Sequence, residues 1–287
     1  LGFQICHIEE SGILRFRTIG GHDLRSLSGR RVAVHAQGGP VFGVIGQRPV
    51  HLVRDRNRAA PPPQAHDLWI DCGFAGRKEA IKSVEIGDPA TYLEGFQLVR
   101  NQLAVARGFD NRVGAFVVAE TLRALARAKT LKARVSAVAT VQEEIGLRGA
   151  KTSAFGLDPD AGIAVDVTWA TDNPGGEAKE IGEVKLGAGP VLVRGPNVNP
   201  PLHRLLKSTA SKLKIALQPR SIPGASGTDA NPLQLTRAGV ATALVSIPNR
   251  YMHSPVEMCH LGDVEAAVKL LAGTIKALGP KTSFIPD

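Results

Sequence analysis

Apolar and polar positions alternate in short runs over the first third of the chain. Residues 13–18 read ILRFRT, which places Leu14 and Phe16 on one face and Arg15 and Arg17 on the other. That period of two is the mark of a strand with one buried side. RVAVHA at 31–36 and VFGVIG at 41–46 are two more strands, parted by the turn signal Gly38-Gly39-Pro40. DLWIDCG at 67–73 is a fourth, reached through the loop RDRNRAAPPPQ. Short strands with no helix between them predict a small barrel-like β domain. Near residue 100 the period changes. Residues 111–128 read as a helix, with Glu120, Arg123 and Arg127 on one face and Phe116, Val117 and Leu125 on much of the rest. VSAVATV at 135–141, DAGIAVDV at 160–167 and VATALVSI at 240–247 are near-continuous apolar runs, as in strands covered on both faces. HRLLKSTASKL at 203–213 is helical. In the last helix Val264, Val268, Leu271, Ile275 and Leu278 form a stripe, with Asp263 as its expected cap and Gly279-Pro280 as its stop. Strands alternating with helices predict an α/β sandwich for this part.

The 287 residues, 43% hydrophobic and 21% charged, read as globular and allow one large domain or two ordinary ones. No apolar run approaches the ~18–20 residues of a membrane span. The opening LGFQICHIEE has neither a basic n-region nor a cleavage site, so no signal peptide is expected. Cys6, Cys72 and Cys259 are scattered and form no CxxC pair, which favours a reducing, cytoplasmic compartment. The net charge of +9 raises the question of nucleic acid. The basic residues are dispersed, however, and Arg54, Arg56 and Arg58 make only a short loop cluster. With 2 Trp and 2 Tyr available for base stacking, a soluble basic surface is the better reading, with no nucleic-acid or membrane partner.

Five places carry candidate chemistry, each where a strand should end or a helix begin. Asp110 opens a helix in FDNRVG, where a cap is the ordinary role. Glu143 and Glu144 follow the apolar run 135–141. They could address one site only if the backbone leaves the strand there, and Gly146 permits that; a solvated loop pair is the alternative. Asp166 sits inside IAVDVT, where a carboxylate calls for a metal, an Arg or a helix to cap. His253 follows the run 240–247 in RYMHSP, and a lone His is more often structural than a ligand. Gly227, Thr228 and Asp229 lie in GASGTDA, where glycines permit close backbone approach to a ligand and Asp229 could cap the next helix. Together Asp110, Glu144, Asp166 and His253 are hard oxygen and nitrogen donors of the kind zinc, cobalt or manganese accept. No G-x-S-x-G, GxGxxG or P-loop competes with this; Gly187-Ala188-Gly189 begins like a dinucleotide motif but runs into Pro190-Val191.

These residues, in this order, resemble the TET-type (tetrahedral, dodecameric) aminopeptidases, the forty-second metallopeptidase family, which includes glutamyl and leucyl aminopeptidases. The resemblance covers essentially the whole chain. It is carried by LRFRTIGGHD, GVIGQRPVHL, FDNRVG, VATVQEEIGLRGAKTSAFGLDPD, AVDVT, GTDA, AGVATALVSIPNRYMHSPVE and the closing helix. It implies an α/β fold: a mixed-sheet α/β/α zinc-peptidase-like catalytic domain with an inserted small β-barrel dimerisation domain. Residues 1–5 would end an N-terminal catalytic segment, 6–95 would be the barrel and 96–287 the rest of the catalytic domain. The resemblance further implies two divalent metal ions, zinc or cobalt. Asp110 would bridge them, Asp166 would bind one, and Glu144 and His253 would bind the other. Glu143 would be the general base, and Gly227, Thr228 and Asp229 would lie near substrate. The expected activity is release of N-terminal amino acids from short peptides, by subunits that self-associate into dimers and a dodecamer. Asn111 stands where family members carry Asp or Asn.

One departure concerns the family's remaining ligand, the His of a His-x-Asp-Glu-(Ile/Leu)-Gly motif. Here Leu1-Gly2 would be that motif's tail, and the expectation is that the His lies upstream in the native protein. An intact mass near the 30.3 kDa of this sequence would sink that idea. Two alternatives stand beside the aminopeptidase reading: an amidohydrolase or deacylase acting on small N-acyl compounds, and an inactive assembly subunit of the same fold. An endoglucanase is discounted, because no carboxylate pair is arranged for both faces of a glycosidic bond.

Overall fold

A computed structural model describes residues 1–52, 63–128 and 130–286. The Arg54, Arg56 and Arg58 cluster lies outside the described residues. Among the described residues the strands run in chain order: β1 (Gly2–Ile8), β2 (Leu14–Ile19), β3 (Arg31–Ala36), β4 (Gly39–Gln47), β5 (Leu68–Asp71), β6 (Pro89–Tyr92), β7 (Gln97–Leu98), β8 (Leu103–Ala106), β9 (Ala161–Trp169), β10 (Val191–Arg194), β11 (Gln218–Ser221), β12 (Ala241–Asn249) and β13 (Glu257–His260). The α-helices are α1 (Arg77–Ala80), α2 (Phe109–Ala126), α3 (Arg148–Leu157), α4 (Ala178–Ile181), α5 (Pro200–Leu213), α6 (Ala230–Gln234) and α7 (Leu261–Lys276). The chain divides into two compact units, one built on Leu1–Phe96 and the other on most of the remainder.

The first unit is the small barrel that the alternating runs predict. Strands close in the order β1-β2-β5-β4-β3-β6. Closure gives each barrel strand a neighbour on both sides, which limits its open edges among the described residues. The inward residues make its core: Phe3, Ile5, Leu14, Phe16, Val32, Val34, Ile45, Leu68 and Ile70 are all buried. Burying each large apolar side chain contributes roughly 1.5–3 kcal/mol. Phe3 meets Phe16 and Tyr92 edge-on, with ring centroids 4.9 and 5.1 Å apart. Such contacts exploit the opposite polarity of ring face and ring edge.

In the second unit a four-stranded mixed sheet runs β11-β10-β12-β9, beside a three-stranded sheet β13-β8-β7. β12 and β9 are parallel, with Ser246 opposite Asp166 and Asn249 opposite Trp169. β10 is antiparallel to β12 and parallel to β11. The run at 240–247 is buried almost throughout, because α2, α5, α6 and α7 all pack on β12. Among the described residues no helix is long and apolar enough to cross a membrane.

Two expectations fail. Residues 135–141 form no strand, and their side chains are half-buried or exposed. Apolar character alone does not make a strand; ladder hydrogen bonds do. Nor does Asp263 cap α7. His260 holds that position, its Nδ1 accepting from the Gly262 N–H at 3.1 Å. Asp263 lies in the first turn, 1% exposed, and accepts the N–H groups of Gly187 and Gly189, both at 2.8 Å. The dinucleotide-like Gly187-Ala188-Gly189 is thus a turn gathered on a buried carboxylate. Its second glycine is required: at φ +98° a Cβ on Gly189 would stand 2.1 Å from the Ala216 carbonyl oxygen.

Candidate metal centre

The start of α2 is irregular and sets Asp110 outside the regular helix. Asp110 (φ −78°, ψ 107°) and Asn111 (φ −120°, ψ 47°) are non-helical, and the bond between them is cis. Asn111 takes the cap expected of Asp110, its Oδ1 accepting from the Gly114 N–H at 3.0 Å. Its Nδ2 donates to the Val165 carbonyl at 2.8 Å, which ties the helix start to β9 next to Asp166. Gly114 keeps this approach close, since a Cβ there would meet Asn111 Oδ1 at 2.2 Å and the Val165 oxygen at 2.6 Å. The Asp110 N–H, left outside the helix, donates to Glu257 Oε2 at 2.7 Å.

Glu143 and Glu144 lie on a tight turn, as addressing one site requires. Gln142 is left-handed (φ 59°) and Gly146 has φ 128°. The Glu143 carbonyl accepts from Gly146 and Leu147 at 3.1 and 2.9 Å, and Gly149 N–H closes the turn on the Val141 carbonyl at 2.9 Å. Both carboxylates are half-buried.

Asp166 is buried on β9, 7% exposed, and its Oδ1 accepts its neighbour Val167 N–H at 2.8 Å. Burial first, and then the charges of Asp110, Glu143 and Asp229, hold its carboxyl well above the usual carboxylate range. Asp229 stands at the head of α6 but makes no side-chain cap bond. Its Oδ2 instead accepts from the Thr140 hydroxyl at 2.5 Å, and its buried Oδ1 has no hydrogen-bond partner. Burial raises this carboxyl too, against the lowering by Thr140. Thr228 bonds Ser226 at 3.1 Å and the Ala230 N–H at 3.3 Å. A Cβ on Gly227 would meet nothing within 4 Å, so close backbone packing is not what a glycine serves there.

His253 rides on a loop after β12 that folds back on itself. Arg250 and Met258 exchange backbone hydrogen bonds at 3.0 and 3.1 Å, and Tyr251 and His253 are left-handed at φ 61° and 64°. Arg250 also grips Asp172, just past β9, with Nε to Oδ1 at 2.9 Å and Nη2 to Oδ2 at 2.7 Å. Asp110, Glu144 and His253 each offer one ligand atom, and these atoms lie within 4.8 Å of one another. Asp166 is outside that group of three, though the Asp110 charge acts on it.

The donor set fits a divalent cation. The side chains whose charges act most on buried Asp166 are all carboxylates. Gathering desolvated negative charges is costly unless a cation compensates them. One imidazole and three carboxylates match borderline metals such as zinc, cobalt or manganese. Glu257, Asp172 and Arg250 are supports that residue-by-residue reading misses, because their partners lie far away in sequence.

A family model for the M42 glutamyl aminopeptidases matches residues 1–270. The chain belongs to that family. It is a metal-dependent aminopeptidase, a hydrolase of peptide bonds, and the match lends nothing to the deacylase alternative. Lysyl aminopeptidase of Pyrococcus furiosus is 36% identical over 281 residues, 98% of this chain and 80% of that protein. Among solved structures, the TET aminopeptidase from a marine-sediment Thaumarchaeota archaeon superposes with a TM-score of 0.91 at 36% identity, covering 98% of this chain and 79% of that one. The TET1 peptidase of Pyrococcus horikoshii, which can assemble into a tetrahedron or a large octahedral shell, gives 0.84 at 34% identity, covering 96% and 81%. The two solved structures share this chain's fold at those TM-scores.

Proposed function

We propose that this M42 aminopeptidase releases N-terminal residues from short peptides with two divalent cations, zinc or cobalt, held by Asp110, Glu144, Asp166 and His253. Asp110 is assigned to both ions, Asp166 to one, and Glu144 with His253 to the other. The observation that carries the reading is the convergence of Asp110, Glu144 and His253 within 4.8 Å. When bound, such ions supply Lewis-acid polarisation of the scissile carbonyl and lower the pKa of water. Glu143 takes a proton from the attacking water and hands it to the departing amine. A peptide's free amino terminus would sit against the metal centre and its carboxylates, which would restrict cleavage to the first bond; an N-acyl compound has no free amino terminus to place there. Gly227, Thr228 and Asp229 are assigned to substrate contact, supported by the buried Asp229 Oδ1, which has no hydrogen-bond partner within the chain. Chelation should abolish turnover of aminoacyl-p-nitroanilides, and cobalt or zinc should restore it. Glu143→Gln should keep metal binding and lose about 10²–10⁴-fold in kcat; full turnover by that variant sinks the base assignment.

Residues 6–95 are assigned to dimerisation, and the dimers to a dodecamer. Phe42 and Val44 support this: they stand on β4 with 61% and 40% of their surface exposed. The assembly of the Pyrococcus horikoshii relative points the same way. A monomer by light scattering would overturn it. Free Cys6, Cys72 and Cys259 suit a reducing, cytoplasmic setting.

A further inference from the structure

Glu257 is a carboxylate in the core of the catalytic unit, 1% exposed at the first position of β13. A buried carboxylate is retained only where its oxygens meet donors. Its Oε2 accepts the Asp110 N–H at 2.7 Å. That N–H is available because Asp110 stands before the regular helix, whose cap is Asn111. Glu257 also follows His253 by four residues, on a loop that the Arg250–Met258 bonds close. Within that loop Ser254 Oγ donates to the Val256 carbonyl at 2.6 Å and Pro255 is buried, so its path is defined. One short segment therefore carries His253 and holds the backbone of Asp110.

We propose that Glu257 is a positioning residue, which sets the Asp110 carboxylate relative to His253 by accepting the Asp110 N–H. The proposal rests on the reading of Asp110 as a metal ligand. Groups that orient metal ligands without touching the ion typically govern affinity by about 10–100-fold. Glu257 acts through a hydrogen bond, so an amide oxygen at the same reach replaces it and a shorter side chain does not.

The test is cobalt(II) titration of the full-length chain and its variants, read by calorimetry and by the visible absorption of the bound ion. Glu257→Ala should bind cobalt about 10–100-fold more weakly and alter the visible band. Glu257→Gln should bind like the unaltered chain, with the same band. Unchanged affinity and band in Glu257→Ala, or equal loss in Glu257→Gln, overturns the proposal. If Glu257→Ala does not fold, Glu257→Asp decides: loss there with retention in Glu257→Gln supports the role, and retention in both overturns it. Failure of the unaltered chain to bind cobalt overturns the metal reading and this proposal together. Equal binding by the unaltered chain and Glu257→Ala overturns the Glu257 role alone.

Discussion

Arg250 and Asp172 join the chain just beyond β12 to the chain just beyond β9 through two parallel hydrogen bonds, at 2.9 and 2.7 Å. These are the neighbouring strands that lead to His253 and carry Asp166, so the pair extends their register past the last ladder bond, Ala170 N–H to the Asn249 carbonyl at 2.9 Å. The side chains are 21% and 17% exposed. Removing one partner should therefore cost between the ~1 kcal/mol of an exposed pair and the ~3–5 kcal/mol of a buried one. Arg250→Lys should recover little of it, because an ammonium cannot reproduce the planar fork. Urea unfolding measures both.

The same pair fixes a pH dependence. Burial alone would raise the Asp172 carboxyl, but the Arg250 bonds and the Leu186 N–H outweigh it and hold the group below its ordinary value. A carboxyl with a depressed folded pKa stabilises the native state above its unfolded value of ~3.9, and that stability is lost as pH falls through the folded value. Asp172→Asn should be less stable than the unaltered chain at neutral pH, with a shallower further loss below about pH 4. Parallel acid-unfolding slopes would contradict this.

Much of the fold is legible in periodicity because burial acts locally on alternating or helical positions. Leu14 and Phe16 face the barrel core, and Val264 and Leu271 face inward from α7, as their spacing requires. The run at 135–141 misleads, since its apolar residues look like a buried strand while strand formation depends on a partner that spacing cannot reveal. The cap of α7 misleads for a different reason: Asp263 is the residue type that favours an N-cap, but the helix starts three residues earlier and places it in the first turn. Asp110, Glu144 and His253 were legible as hard donors at element ends, and the fold brings these three together. The contacts around them were not legible, because Asp110 meets Glu257 across 147 residues and Arg250 meets Asp172 across 78.

Asp263 offers a sharp stability test. Its two oxygens each accept one backbone N–H, from Gly187 and Gly189, in a nearly solvent-free setting. An Asn keeps one acceptor and turns an NH₂ group toward the other N–H. That buried donor then goes unsatisfied, which costs about 1–3 kcal/mol. Asp263→Asn should show this by urea unfolding with an unchanged m-value; an unaltered midpoint would mean the turn re-forms without the carboxylate.

Two glycines at opposite ends of α3 should respond in opposite directions to the same substitution. At Gly149 a Cβ would stand 2.4 Å from the Val141 nitrogen and 2.5 Å from its carbonyl oxygen. Both are backbone atoms, so the turn from Val141 to Gly149 must move, and with it Glu143 and Glu144. Gly149→Ala should lose about 1–3 kcal/mol of stability through overpacking. It should also bind cobalt more weakly, because Glu144 is displaced from Asp110 and His253. At Gly156 a Cβ meets nothing within 4 Å. There Ala only removes backbone freedom from the unfolded chain, and Gly156→Ala should gain up to about 1 kcal/mol with cobalt affinity unchanged. A Gly149→Ala protein with normal stability and normal cobalt binding would show that the turn yields to the added methyl without shifting its carboxylates, and would remove Gly149 from the reasons those carboxylates share one site.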